Sequence, residues 1–142
     1  MNDTYIILVL ISGILTFGFT SITPNQEGND ALKNPTSLNE TAPNEFTVKF
    51  DTSAGEFTIE IHRDWAPNGA DRFYNLVKNG FYNGCRFFRV INNFMVQFGI
   101  HGDPSVSSVW RDARIPPDPV ETSNRRGYIS YAMAGSPDTR TT

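Results

Sequence analysis

Between residues 46 and 61, apolar and polar side chains alternate in two runs. FTVKF sets Phe46, Val48 and Phe50 on one face with Thr47 and Lys49 on the other, and FTIEI repeats the pattern with Phe57, Ile59 and Ile61. A period of two marks half-buried strands, and the Gly-containing link DTSAGE between the runs predicts a β-hairpin. The period then changes. In APNGADRFYNLVKNGF, Ala70, Phe73 and Leu76–Val77 recur at helical spacing, with Pro67 suited to a first helical turn and Gly80 to a helix stop. Two short apolar runs, Phe87–Val90 and Phe94–Phe98, flank Asn92-Asn93, a pair with turn chemistry. From Gly99 to Asn124 the chain reads as loop, with Pro104, Pro116, Pro117 and Pro119, and GYISYAMAG reads as one more strand ending at Gly135. Strands with a single helix packed among them predict a mainly β domain, a partly closed barrel. TRTT follows a turn, with no later strand to seal the sheet, so the expected barrel is incomplete at its C-terminal side and leaves an open edge beside Tyr128–Ala132.

Ahead of this domain the pattern is different. Residues 5–19, YIILVLISGILTFGF, are apolar and uncharged. That run is shorter than the ~20 residues of a comfortable membrane span and suits the core of a signal peptide. The preceding MND carries no basic side chain and no Ala-x-Ala site follows, so residues 1–23 stand as either a cleaved export signal or a short retained anchor over 5–23. Either way the expected location is outside the cytoplasm, periplasmic or extracellular, with membrane contact only through that anchor. Residues 24–44 are rich in Asn, Pro, Ser, Thr and Glu and nearly free of large apolar groups, the composition of a disordered linker. The triplet NET at Asn39 is a glycosylation acceptor only in a eukaryotic secretory pathway. The expected domain is 45–142.

Composition narrows the chemistry. The chain has 142 residues, 39% hydrophobic and 19% charged, enough for one domain with a core. A net charge of −3 and the absence of any Lys/Arg cluster argue against nucleic acid as a partner. The single cysteine, Cys85, sits beside aromatic residues and reads as a small buried hydrophobe. His62 and His101 are far apart and lack metal-ligand spacing, Asp103 reads as a helix-capping or loop-ordering residue, and no Gly-x-Ser-x-Gly elbow exists. Arg86 and Arg111 read as solvated or locally paired.

One stretch resists a purely structural reading. CRFFRVINNFMVQFG places a lone arginine, Arg89, and a lone glutamine, Gln97, in strand-like apolar surroundings, where a guanidinium is costly without a partner. Such a residue either meets a carboxylate or lines a cleft. The order of motifs here, APNGADRFYNLVKNGFYNG, then FFRVINNFMVQFG, then GYISYAMAG and DTRTT, resembles the cyclophilin family of peptidyl-prolyl isomerases over about Phe46 to Thr142. It looks like a divergent, bacterial-type branch. Typical members carry Gln-Gly-Gly-Asp where this chain has Gln97-Phe98-Gly99. The family's next landmark, Gln-x-Phe-Ile beyond a Thr-rich turn, is not reached by Thr142, so the resemblance implies the N-terminal part of a cyclophilin-like β-barrel.

The resemblance implies Arg89 as the catalytic arginine, Phe94 and Met95 lining a proline pocket, Gln97 holding the substrate backbone, and Ala132 and Met133 at the rim. The implied reaction fits these residue types. Rotation about an X-Pro bond breaks amide resonance against a barrier of ~18–20 kcal/mol. No bond is made or cut, so neither metal nor cofactor is needed. As the bond twists, the prolyl nitrogen becomes pyramidal and basic, and a fixed donor aimed at it stabilises the twisted state over either planar one. Arginine supplies a permanently charged, rigid donor fork. The expected partners are proline-containing polypeptides, and the family implies a monomer. The alternative is a proline-peptide binding module or chaperone without turnover.

Overall fold

The computed structural model describes residues 30–142, so the expected signal or anchor over 1–23 and the first part of the linker lie outside the described residues. The first hairpin forms where alternation predicts it. Strand β1 (Glu45–Thr52) pairs antiparallel with β2 (Gly55–His62), in a register running from Glu45 opposite His62 to Thr52 opposite Gly55. Val48 and Phe50 point into the core, and Phe57, Ile59 and Ile61 pack against it from β2. Ser53 and Ala54 make the two-residue turn, closed by the Thr52 hydroxyl, which donates to Gly55 O at 2.6 Å and accepts from Ala54 N at 3.2 Å. Gly55 has φ +121°, which L side chains rarely adopt.

Helix α1 (Pro67–Lys78) starts at Pro67 and ends before Gly80, whose φ of +73° continues the chain out of the last turn. Ala70, Phe73 and Leu76 form its buried stripe. Phe73 lies 6.4 Å from Phe50 and 5.4 Å from Tyr82, centroid to centroid, so the helix closes over the first hairpin through aromatic contacts. A second hairpin follows, β3 (Arg89–Ile91) antiparallel to β4 (Met95–Gln97).

Two expectations are corrected. The stretch Gly99–Asn124 is not all loop: α2 (Pro104–Trp110) lies within it. Asp103 caps this helix, accepting from Ser105 N at 2.8 Å, and Pro104 occupies the first turn. Val106 and Trp110, four apart on one face, are buried. GYISYAMAG is not a strand: among the described residues no neighbour accepts its ladder bonds, and its side chains are largely exposed. The strands form two separate two-stranded sheets, and no closed barrel exists among the described residues. The architecture is small sheets with packed helices, and no described helix is long and apolar enough to cross a membrane.

Residues 30–44 also differ from the solvated tether that their composition suggests. Leu32 is 2% exposed, and its carbonyl accepts from Trp110 Nε1 at 2.6 Å. Asn75, 1% exposed on α1, clamps the strap in the manner of a backbone bridge. Its Oδ1 accepts from Glu40 N at 3.1 Å, and its Nδ2 donates to Glu40 O at 2.7 Å. Specific side-chain bonds thus hold a segment that carries too few large apolar groups to fix itself by burial. Asn75→Ala is expected to lose about 1–3 kcal/mol of unfolding free energy, because it removes both hydrogen bonds to the Glu40 backbone. Denaturant unfolding, with hydrogen exchange at the Glu40 amide, measures it.

Beside this clamp, Asp71 accepts from Ala42 N at 2.8 Å and takes both Arg63 Nε, at 2.7 Å, and Nη2, at 2.9 Å. The Arg63 hydrogen bond holds the Asp71 carboxyl below its ordinary range, with the Ala42 amide adding to the effect against the opposing influence of burial. A carboxylate with a depressed folded-state pKa contributes stability above its unfolded value and loses it as pH falls through the folded one. Asp71→Asn is therefore expected to lower stability at neutral pH and to flatten the acid limb of the stability curve. Unfolding midpoints followed from pH 7 down through the carboxylate range test this.

Candidate functional site

The β3–β4 hairpin carries four of the six sequence-derived candidates. Its turn needs a left-handed residue, and Asn93 supplies it with φ 60°, a conformation that Asn tolerates better than most side chains. Phe94 N donates to Ile91 O at 3.1 Å to close the turn. The base of the hairpin is anchored in the core by Phe98, whose ring centroid lies 5.0 Å from Phe87, 5.5 Å from Tyr82 and 5.6 Å from Phe50. Phe98 thus fixes the strand directly after Gln97.

Above that anchor the hairpin is open. Arg89 stands directly opposite Gln97, and Arg89 Nη1 donates to Gln97 Oε1 at 3.5 Å, a long bond on an exposed surface. The guanidinium is not buried, and no carboxylate forms an ion pair with it among the described residues. Phe94 at the turn is 78% exposed, and Phe88, Val90, Ile91 and Val96 add an apolar surface around it. Met95 is half-buried opposite Ile91. A donor fork, an amide and apolar side chains therefore share one small, base-anchored hairpin.

Ala132 and Met133 are not brought to this hairpin by any hydrogen bond or ion pair among the described residues; both are exposed. Their segment is attached to α1. Tyr131 Oη donates to Gly69 O at 3.1 Å, and burial pushes the Tyr131 hydroxyl pKa up.

Sequence reasoning missed a buried ion pair nearby. Asp118 accepts from Asn68 N at 2.8 Å and Gly69 N at 3.0 Å, the free amides of the first turn of α1, and from Arg140 Nη1 at 3.0 Å. The Asp118 side chain is 3% exposed and that of Arg140 10%, so the pair depends on its hydrogen bonds to offset desolvation. Arg140 Nη2 also donates to Pro116 O, while Ile115 N donates to Arg140 O at 3.0 Å. The signal available in sequence was an aspartate set among prolines in PPDPV, with no period to tie it to Arg140.

The remaining candidates resolve simply. Cys85 is buried, its Sγ donating to Ile100 O at 3.2 Å, and burial pushes the thiol up to about 11. His101 Nδ1 accepts from Asp103 N at 3.0 Å. His62 lies 3.5 Å from a Glu45 oxygen and 3.4 Å from one of Glu60, and stacks on Trp65 at 4.6 Å. Among the described residues, no three His, Cys, Asp or Glu side chains converge as metal ligands would.

Comparison with known proteins bears on this arrangement. Residues 47–142 match the model of the family described as cyclophilin type peptidyl-prolyl cis-trans isomerase/CLD. A peptidyl-prolyl cis-trans isomerase of Acinetobacter baylyi is 37% identical over 98 residues, covering 66% of this chain and 50% of that protein. One of Arabidopsis thaliana is 36% identical over 94 residues, 62% of this chain and 15% of its own length. A peptidyl-prolyl cis-trans isomerase-like protein of Aspergillus oryzae is 48% identical over 52 residues, 37% of this chain and 32% of that protein. The chain thus spans half or less of the length of these relatives. No solved structure matches it at a significant level.

Proposed function

The chain belongs to the cyclophilin-type peptidyl-prolyl cis-trans isomerase family, and from that membership we propose that it accelerates the rotation of X-Pro bonds in polypeptides, with Arg89 as the donor to the prolyl nitrogen. The observation that carries the reading is the direct opposition of Arg89 and Gln97 across the β3–β4 hairpin, with Phe94 and Met95 on the same small element. Gln97 would hold the substrate backbone beside the moving bond while Phe94 and Met95 cover the proline ring. The twisted bond would meet a guanidinium already in place, which favours the transition state over both planar forms. Ala132 and Met133 would form the opposite rim.

Around this chemistry, the proposal includes the two hairpins as parts of a barrel-like β framework beside α1, and a protein that acts as a monomer. It also includes delivery beyond the cytoplasm through residues 1–23, by a signal or an anchor. The apolar run 5–19 supports that last element. A second reading, a proline-chain binder without turnover, is favoured by the separation of Ala132 and Met133 from the hairpin, because half a rim can grip a chain without aligning a donor.

NMR exchange spectroscopy of an Ala-Pro peptide with the full chain separates the two. Faster cis–trans exchange at substoichiometric protein is the expected result. Peptide shift changes without acceleration would establish the binder, and neither effect from a folded sample would overturn both readings.

A further inference from the structure

From Pro119 to Asp138 every residue is exposed except one, Tyr131. This segment contains no strand and no helix beyond the single 3-10 turn Pro137–Thr139. Ahead of Tyr131, the Tyr128 ring stacks on Trp65 at 5.9 Å. Between Tyr131 and Thr139 the hydrogen bonds are local: Ala134 N donates to Thr139 Oγ1, and Thr139 Oγ1 donates to Ser136 O. Tyr131 instead reaches 62 positions back along the chain to donate to Gly69 O at 3.1 Å. Gly69 is shaped for it. A Cβ at Gly69 would stand 3.3 Å from Tyr131 Cε2, and 3.5 Å from both Tyr131 Cδ2 and Asp118 Oδ2, so even an alanine there presses on the tyrosine ring by a few tenths of an ångström. Gly69 N is meanwhile held by Asp118, which fixes the receiving turn of α1 from its other side.

We infer that Tyr131 is a positioning residue for substrate binding, pinning the adjacent rim residues Ala132 and Met133 to α1 and so to the β3–β4 hairpin. The inference rests on the proposed function. Ala132 and Met133 follow the pin by one and two residues, so the backbone they offer stays within roughly 7 Å of it, at most about 3.6 Å of chain per residue. The helix that receives the pin is coupled to the other half of the site through rings. Phe73 on α1 contacts Tyr82 at 5.4 Å, and Tyr82 contacts Phe98 at 5.5 Å, the residue next to Gln97. One hydroxyl therefore fixes an otherwise lightly held rim to the body that carries the donor. A freed rim weakens the grip on planar and twisted substrate alike, which raises KM and leaves the donor step, and kcat, unchanged.

Tyr131→Phe removes only the hydroxyl. The expected result is a KM for exchange of an Ala-Pro peptide raised roughly 3- to 10-fold, with kcat within about twofold of the parent. Backbone NMR of the same protein should show faster hydrogen exchange and lower order parameters at Ala132–Ala134. Gly69→Ala, which pushes the ring from the other side, should produce the same split and guards against a folding defect particular to the first variant. An unchanged KM and unchanged Ala132–Ala134 dynamics in an active protein would overturn the inference and leave the proposed function standing. A fall in stability and kcat with KM constant would also overturn it, since that is the mark of a general structural role. A parent chain that neither turns over nor binds the peptide would defeat the proposed function, and with it the link to substrate. The rim dynamics of the two variants would then judge the pin alone.

Discussion

Arg89→Ala is expected to lower kcat/KM for prolyl-peptide exchange by about 10²- to 10³-fold, the loss typical when a preorganised transition-state donor is removed. The fold should not notice. Arg89 is exposed, and among the described residues its one side-chain bond is the long contact to Gln97 at 3.5 Å and no ion pair depends on it. Surface substitutions of this kind change stability by no more than about 0.5 kcal/mol. Activity and stability should therefore separate cleanly, which a core arginine would not permit. Arg89→Lys keeps the charge but exchanges a planar fork for a flexible point donor, and it should recover little of the rate. Rates are measured by exchange NMR and stability by urea unfolding. Retained activity in the alanine variant would move the donor to another residue, whereas a parallel fall in rate and unfolding free energy would make Arg89 structural.

The exposure of Arg89 answers the question its sequence context raises. An arginine among phenylalanines and valines reads as buried, and buried guanidinium needs a partner. In the structure the hairpin is buried only at its base, through Phe87 and Phe98, while Phe88, Val90, Phe94 and Val96 face outward with Arg89. Apolar composition reported an apolar surface rather than a core. The first hairpin and α1 were legible because their periods of two and 3.6 extend over eight and twelve residues. Helix α2 was not, because its seven residues show a buried stripe only at Val106 and Trp110, inside a stretch of Gly, Pro and Ser. Asp103 and Pro104 are its one readable signal, and a cap followed by a proline suits a loop as well as a short helix. GYISYAMAG shows the converse error. Its residues suit a strand, but strands need a partner ladder, and alternation within one segment carries no information about the neighbour. Asn75, Asp118 and Tyr131 each bond to backbone 35 to 62 positions away, and a single sequence has no signal for such pairs.

The largest stability effect should come from Trp110, and it follows from where α2 sits. Trp110 is 1% exposed and touches three parts of the chain at once. Its ring stands edge-on to Phe81 at 5.7 Å, the Arg72 guanidinium lies 4.9 Å above it, and its Nε1 donates to Leu32 O in the N-terminal strap. Trp110→Ala should cost about 3–5 kcal/mol, since it opens a large cavity and leaves the Leu32 carbonyl without its donor. That is a large part of the roughly 5–15 kcal/mol that holds a typical domain together. Trp110→Phe keeps most of the volume but drops the hydrogen bond and should lose less, which gives a measurable variant if the alanine protein does not fold. Denaturant unfolding of both, with the strap followed by hydrogen exchange at residues 32–42, tests the argument. A loss below about 1 kcal/mol for Trp110→Ala would mean that α2 and the strap lie outside the cooperative unit. The expected large loss would place them inside it. From there, Phe81 meets Tyr82 at 5.2 Å and Tyr82 meets Phe98 at 5.5 Å, so the same aromatic chain that stabilises the core also supports the hairpin presenting Arg89.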